Sequence, residues 1–121
     1  MSFKKWSIYR ANLDPVIGSE QGKSRPVIII SEDSINTLIN TVNVLPITTR
    51  KVGRQVYPNE TLLPKHIYGL ENDSIILCHQ IRTLDKIRIT LKYGEVADSD
   101  KKEEIFEALC FQLGIDNSPS S

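Results

Sequence analysis

Short apolar runs, rich in β-branched residues and separated by polar turns, recur along most of the chain. Such runs are typical of β-strands, and the first of them alternates with period two. They predict six strands, at residues 6–12, 27–30, 41–48, 56–62, 74–81 and 89–96. The second run is β-branched throughout, which favours a central strand buried on both faces. Pro46 lacks an amide proton, so we expect an edge or a bulge in the third strand.

The longest helical pattern begins near residue 98. Asp98 and Ser99 are residue types that cap helices, and Gly114 is a typical stop. Between them an apolar stripe recurs at helical spacing, made of Ile105, Phe106, Leu109, Cys110 and Leu113. A short helical turn is also expected at 32–38. The predicted fold class is therefore mostly β (α+β): one antiparallel domain over residues 1–116 with a C-terminal amphipathic helix, followed by a flexible polar tail at 117–121.

The segment between the first two strands, residues 13–26, is long and reads LDPVIGSEQGKSRP. Long connections without secondary structure of their own are usually functional or disordered. Arg25 stands directly before Pro26, and a residue before proline is held extended. We therefore expect Arg25 to project from the first residue of a strand, at a fixed position suited to a cation that binds phosphate.

Composition and charge are those of an ordinary globular domain, with 40% hydrophobic and 25% charged residues and no formal net charge. A neutral chain is not an obvious binder of bulk polyanions, but residues 1–60 hold eight lysines and arginines against five acidic residues. Either these cations form a local basic groove or they are scattered solvated charges. The candidates for the groove are Lys23, Arg25, Arg50, Lys51 and Arg54.

Several classes of protein are disfavoured. No apolar run approaches the roughly 20 residues needed to span a bilayer, and the N-terminus lacks the apolar region of a signal peptide, so we expect a cytoplasmic protein. Cys78 and Cys110 lie in apolar runs without zinc-ligand spacing, which predicts reduced core residues. No cluster of metal ligands is visible, and neither a metal nor another cofactor is predicted.

Polar side chains collect at the ends of the predicted strands. They are Ser19, Glu20 and Arg25 from the first loop, residues 48–50 after the third strand, and residues 79–82 after the fifth. Either these strand ends converge on one concave face, or the side chains serve turns and solvation. Spacing alone leaves both interpretations open.

Three blocks, GSEQGKSRPVIII, LPITTR and ILCHQIRTLDKIRI, resemble in sequence and order the signature blocks of the MazF/PemK toxin family. The resemblance extends from Trp6 to about Gly114. It implies a CcdB/PemK-like fold, a small and strongly bent antiparallel β-barrel that acts as a homodimer. It also implies metal-independent cleavage of single-stranded RNA at short sequences, with 2′,3′-cyclic phosphate and 5′-hydroxyl ends, and a cognate antitoxin that blocks the groove.

The resemblance assigns catalytic roles to Arg25 and Thr48. Arg25 matches the family's catalytic arginine, and the planar fork of a guanidinium can hold two phosphate oxygens. Thr48 matches the catalytic threonine, whose hydroxyl can bind the phosphate but is too weak a base to act unaided. The alternatives are a surface ion pair for Arg25 and an ordinary strand-end threonine for Thr48.

Two further candidates, Glu20 and His79, have more than one possible role. Glu20 is either a general base or a cap for the amides of its own loop, and it follows Ser19, where some relatives carry a histidine. His79 stands where relatives often carry an acid; it is an acid or base, a positive charge in the groove, or a histidine satisfied within the sheet. RNA contacts are expected from Ser19, Gln21, Lys23, Thr49, Arg50, Lys51, Arg54 and Gln80.

The remaining polar residues of the third block are predicted to be structural. Arg82, Thr83 and Asp85 are expected to hold the fold through a strand-end ion pair and a turn, and His66 has no assigned role. Two other functions stay open: a CcdB-like protein that poisons a topoisomerase by protein contact, and an RNA-binding module without catalysis.

Overall fold

A computed structural model describes residues 2–117 of the protein. The strands are β1 (Ser7–Asn12), β2 (Ser24–Ile29), β3 (Thr41–Thr49), β4 (Glu60–Leu63), β5 (Ser74–Leu77), β6 (Arg82–Asp85) and β7 (Ile89–Glu95). The α-helices are α1 (Asp33–Asn36) and α2 (Ser99–Leu113), and short 3₁₀ helices cover Cys78–Gln80 and Lys86–Arg88. The predicted fold class, mostly β with a C-terminal helix, is confirmed.

All strand pairs are antiparallel, in the order β4-β5-β3-β2-β1-β7, and β6 pairs additionally with β3. Within residues 2–117 this order is an open path, because no pairing joins β4 to β7. The centre of the sheet is β3. One of its sides pairs with β2, and the other pairs first with β6 and then with β5.

The middle of the sheet is buried on both faces, as the β-branched second run predicted. Ile28 belongs to one apolar cluster, which α2 covers with Ile105 and Ala108. Val27 and Ile29 belong to a second cluster on the opposite face. Successive side chains of a strand point to opposite faces, so β2 contributes to both cores.

The C-terminal helix begins and ends where the sequence predicted. The side chain of Asp98 accepts a hydrogen bond from the Lys101 amide at 3.1 Å, and Gly114 ends the helix with φ 68°. Its buried face includes Ile105, Ala108 and Cys110. Two members of the predicted apolar stripe point outward instead: Phe106 is 46% and Leu113 48% exposed.

Three predictions about strands need correction. The strand expected at 56–62 starts only at Glu60, because a turn closes first, with the Glu60 amide bonded to the Tyr57 carbonyl at 2.9 Å. The strand expected at 74–81 ends at Leu77 and gives way to the 3₁₀ helix that carries His79. Strand β6 was not predicted.

The expectation of an edge or a bulge at Pro46 is wrong, because β3 lies inside the sheet and Pro46 is buried. On the side away from β2, β6 pairs with residues 41–44 and β5 with residues 47–49. Pro46 falls in the interval between these two partners. The missing amide proton of Pro46 therefore costs none of the hydrogen bonds between paired strands.

A close backbone contact joins β7 to the segment that precedes β5. A Cβ atom on Gly94 would lie 2.3 Å from the Tyr68 carbonyl oxygen, and one on Gly69 would lie 2.1 Å from the Tyr93 carbonyl oxygen. No real Cβ atom approaches so closely, so both positions require glycine.

The two cysteines are free and buried, as predicted. Burial raises the pKa of the Cys78 thiol to about 12, which makes it an unreactive core residue. No helix among residues 2–117 is long and apolar enough to cross a membrane.

Candidate active site

The long loop between β1 and β2 is closed at its base by hydrogen bonds within the loop. The Leu13 amide donates to the Lys23 carbonyl at 2.8 Å, and the Lys23 amide donates to Asp14 Oδ1, also at 2.8 Å. The peptide between Asp14 and Pro15 is cis. The loop therefore leaves and rejoins the sheet at almost one point.

Three side chains from residues 80–88 fasten this loop to the rest of the molecule. Arg82 donates to the Leu13 carbonyl at 3.0 Å, and Arg88 donates to the Asp14 carbonyl. Gln80 donates from Nε2 to the Ser19 carbonyl and accepts from the Gln21 amide with Oε1, both at 3.2 Å. The third signature block thus holds the first one in position.

The expected ion pair between Arg82 and Asp85 is wrong, but the expected turn is present. Asp85 Oδ1 accepts the Ile87 amide at 2.9 Å and caps the 3₁₀ helix Lys86–Arg88. Arg82 is committed to the loop carbonyl instead. Both side chains therefore have the structural role that the sequence predicted, through different contacts.

Arg25 is the second residue of β2, one position later than expected. Its Nε donates to the Gly22 carbonyl at 3.0 Å, which orients the guanidinium. The β2–β3 pairing ends with Val27 opposite Pro46, and Arg25 and Thr48 each lie two residues beyond that pair. Residues two apart along a strand point to the same face. This is the face of Val27 and Ile29, away from α2.

A cavity of about 310 Å³ brings most of the predicted site residues together. Its lining consists of Ser19, Gln21, Thr48, Thr49, Lys51, Arg54, Leu77, His79 and Gln80. A second cavity of about 270 Å³ shares Ser19, His79 and Gln80 with it and adds Glu20, Ile81 and Arg82. The strand ends therefore converge on one concave region, whereas Lys23, Arg25 and Arg50 line neither of these two cavities.

Contacts of Glu20 and His79 narrow their possible roles. Glu20 Oε1 accepts the amide proton of Ile17 at 2.7 Å, which is the capping contact that the sequence left open. His79 is exposed on the 3₁₀ helix Cys78–Gln80 and lines both cavities. A histidine satisfied within the sheet is therefore the wrong interpretation.

The basic loop after β3 is partly engaged within the molecule. Arg50 Nε donates to the Arg54 carbonyl at 2.9 Å. Arg54 binds both carboxylate oxygens of Glu60, at 2.9 and 2.8 Å. Thr49 and Lys51 are exposed. Among these cations, Lys51 is the one that faces the first cavity without an acidic partner in the described chain.

Sequence reasoning missed Glu60, whose side chain is only 3% exposed. Besides Arg54, it accepts the Tyr57 amide at 3.0 Å. The hydrogen bonds from Arg54 hold the pKa of the Glu60 carboxyl below its ordinary range although burial opposes this, and the same pairing raises the pKa of Arg54. The Arg54–Glu60 pair depends on the turn at 57–60, and no sequence pattern predicted that turn.

Metal ligands are not grouped in the described part of the chain. Within residues 2–117, no group of three or more histidine, cysteine, aspartate or glutamate side chains is arranged to hold a metal ion.

Known proteins resemble this chain over most of its length. The sequence profile of the family described as PemK-like, MazF-like toxin of type II toxin-antitoxin system matches residues 4–113. The crystal structure of MazF from Deinococcus radiodurans is 29% identical, with a TM-score of 0.76, and the match covers 92% of this chain and 96% of that one. A MazE-MazF crystal structure from the same organism is also 29% identical, with a TM-score of 0.70 over 93% and 96% of the two chains.

A third structure, an endoribonuclease in complex with its cognate antitoxin from Mycobacterial species, is 22% identical, with a TM-score of 0.75 over 93% of this chain and 96% of that one. At this identity the match supports the fold alone. The profile match covers nearly all of the region, from Trp6 to about Gly114, over which the chain was expected to resemble this family. The chain belongs to the family of PemK-like, MazF-like toxins of type II toxin–antitoxin systems.

Proposed function

We propose that this protein is a toxin endoribonuclease that cleaves single-stranded RNA in the cytoplasm, without a metal, by attack of a ribose 2′-hydroxyl on the adjacent phosphate. The observation that carries the proposal is that Arg25 and Thr48 lie two residues beyond the Val27–Pro46 pair of β2 and β3, on the same face of their strands, and that Thr48 lines a polar cavity. A cation and a hydroxyl so arranged suit a phosphate in a chain whose family is that of MazF-like toxins.

Arg25 is the proposed stabiliser of the phosphorane. Its Nε–H is used by the Gly22 carbonyl, which leaves the terminal amino groups of the guanidinium to donate to two phosphate oxygens. Because the guanidinium is oriented before RNA binds, little reorganisation is needed when charge develops. Preorganised donors of this kind usually lower the activation barrier more than any other single effect. Thr48 donates its hydroxyl to the same phosphate.

His79 is the proposed proton carrier. The reaction needs a base for the 2′-hydroxyl and an acid for the leaving 5′-oxygen, and an exposed imidazole on the cavity wall suits either step. Glu20 uses one carboxylate oxygen to accept the Ile17 amide. A direct role of Glu20 as base stays a prediction, and Glu20→Gln tests it by removing the charge while keeping an acceptor for that amide.

The polar lining of the cavity is proposed to contact RNA, chiefly through Ser19, Gln21, Thr49 and Lys51. Lys23, Arg50 and Arg54 are proposed as weaker contributors. Arg54 in particular forms an ion pair with Glu60, which offsets its positive charge.

We also propose a homodimer inhibited by a cognate antitoxin. The MazE-MazF structure from Deinococcus radiodurans supports such a partner, and exposed apolar side chains such as Phe111, which is 65% exposed, support a covered surface. Light scattering at micromolar concentration should report about twice 13.7 kDa. A monomer that cleaves RNA would contradict the dimer.

The deciding experiment is cleavage in the presence of EDTA. A long, unstructured transcript is cut first, and the 5′-hydroxyl ends are mapped to find the cleavage sequence. An oligonucleotide with one deoxyribose 5′ to the mapped phosphate is then compared with its all-ribose counterpart. We expect cleavage with EDTA and none of the deoxy-substituted oligonucleotide. Cleavage of that oligonucleotide refutes 2′-hydroxyl attack. If the protein binds RNA without cleaving it, an RNA-binding module is favoured. If it neither binds nor cleaves RNA, a CcdB-like poison is favoured.

The assignment of Arg25 is tested with a matched pair of variants. Arg25→Ala should lower the rate about 10²–10³-fold, the loss typical of one preorganised charge donor. Arg10→Ala is the control, since Arg10 is an exposed arginine of the neighbouring strand that pairs with Pro26 and so points to the other face. A wild-type rate in Arg25→Ala, with an unchanged circular dichroism spectrum, would remove Arg25 from the mechanism.

A further inference from the structure

Gln80, predicted to contact RNA, has its amide turned toward the loop between β1 and β2. Its Nε2 donates to the Ser19 carbonyl and its Oε1 accepts the Gln21 amide, both at 3.2 Å. We infer that Gln80 is a positioning residue: it holds the loop tip, residues 17–21, against the 3₁₀ helix that carries His79. The kinetic part of this inference rests on the proposed function; the structural part does not.

The loop tip depends on this contact because its other hydrogen bonds are internal. The Glu20 amide donates to the Ile17 carbonyl at 3.3 Å, and the Ile17 amide donates to Glu20 Oε1 at 2.7 Å. Within the described chain, the hydrogen bonds that join residues 17–21 to another element are the two made by Gln80. Ile17 is 84% exposed, so packing contributes little to holding the tip.

Gln80 itself is firmly placed. The 3₁₀ helix begins at Cys78, which is fully buried and whose amide donates to the Asn59 carbonyl at 3.3 Å. The helix closes with a hydrogen bond of 3.3 Å from the Ile81 amide to the Cys78 carbonyl. A fixed amide on a rigid support therefore sets the position of a loop that has little rigidity of its own.

The contact joins two parts of the cavity wall. Ser19 and Gln21 from the loop and His79 from the 3₁₀ helix all line this cavity. Gln21 Oε1 is shielded from water and has no hydrogen-bond partner in the described chain. A buried acceptor without a partner costs free energy, so the tip is expected to relax when Gln80 no longer holds its backbone.

Hydrogen exchange of the free protein measures the structural part directly. In Gln80→Ala, the amides of a peptide spanning residues 17–23 should exchange about tenfold faster, because both hydrogen bonds are lost. Gln80→Glu should fall between wild type and Gln80→Ala, since a carboxylate accepts from Gln21 but cannot donate to Ser19. Gln112→Ala is the matched control: it removes a glutamine amide that accepts from Asn59 Nδ2 at 2.9 Å, away from the loop.

Kinetics measure the consequence for the reaction. Misplaced reacting groups lower the rate of the chemical step, so kcat of Gln80→Ala should fall about tenfold while KM changes less than about threefold. Gln112→Ala should keep the wild-type kcat and the wild-type exchange of residues 17–23. A side chain that binds RNA directly would instead raise KM and leave the exchange of the free protein unchanged.

Each outcome decides the inference. Faster exchange together with a lower kcat supports it. Unchanged exchange in Gln80→Ala overturns it whatever the rate does, and faster exchange with wild-type kcat overturns the positioning role in catalysis. If the wild-type protein cuts no RNA, the proposed function fails, while the exchange comparison still shows whether Gln80 holds the loop.

Discussion

Replacing Glu60 by glutamine separates the charge of this residue from its shape. The carboxylate is buried, accepts two hydrogen bonds from Arg54 and accepts a third from the Tyr57 amide. Hydrogen bonds to charged groups contribute about 1 kcal/mol more than neutral ones, and glutamine cannot accept all three. The Arg54 side chain is 32% exposed, so solvent recovers part of the loss. We expect Glu60→Gln to lower the free energy of unfolding by about 2 kcal/mol.

Thermal unfolding followed by circular dichroism measures this change. For a domain of this size, about 2 kcal/mol corresponds to a melting temperature lower by about 8 °C. Glu104→Gln is the matched control, because Glu104 pairs with Lys101 at 2.7 Å but its side chain is 55% exposed. An exposed pair contributes less than about 1 kcal/mol, so the control should melt close to the wild type.

The difference between wild type and Glu60→Gln should depend on pH. Hydrogen bonds from Arg54 hold the pKa of Glu60 below its ordinary value of 4.5. A depressed folded-state pKa stabilises the protein fully above the unfolded-state value, and this contribution is lost as pH falls through the folded-state pKa. The gap in melting temperature should therefore be complete at pH 7 and shrink below about pH 4.5. A gap that stays constant down to pH 3, or equal losses in both variants at pH 7, would refute the reasoning.

Four further outcomes follow from the structure. Gly94→Ala should lower the free energy of unfolding by about 2 kcal/mol or more in urea titration, because the new Cβ meets the Tyr68 carbonyl; an unchanged midpoint would contradict the contact. Thr48→Ser should keep most of the cleavage rate while Thr48→Val loses about 10²-fold, and equal rates would exclude the hydroxyl. His79→Gln should lower kcat about 10²-fold; a wild-type kcat would exclude proton transfer by His79. Lys51→Ala should make the dependence of log RNA affinity on log salt shallower by about 0.7, and an unchanged slope would mean that Lys51 contacts no phosphate.

Local sequence patterns were sufficient to predict the strands and helices that are specified by their own residues. The β-branched run at 27–30 placed a doubly buried strand, and the caps at Asp98 and Gly114 placed the C-terminal helix at its observed ends. Strand β6 was missed because it has four residues, of which only Leu84 is buried. Strand β6 is specified by its pairing with β3, in which Thr41 lies opposite Asp85, and β3 is distant from β6 in the sequence.

The candidate site divides in the same way. Arg25 and Thr48 belong to short motifs, so the sequence alone was enough to propose them. The contacts of Gln80, Arg82 and Arg88 with the loop span 59 to 74 residues of chain, and no local pattern encodes a partner at that separation. The Arg54–Glu60 pair is only six residues apart, but it depends on an unrecognised turn.

The way in which the loop at residues 13–23 is fastened has a consequence for how freely its sequence can vary. Arg82, Arg88 and Gln80 bind carbonyl oxygens and an amide of the loop, and every amino acid supplies a carbonyl. The side chain of Leu13 is buried in the second apolar cluster, and those of Asp14 and Glu20 accept amide protons of the loop. Ile17 and Ser19, in contrast, are exposed. A combinatorial library at positions 17 and 19 should therefore yield mostly folded proteins with altered surfaces.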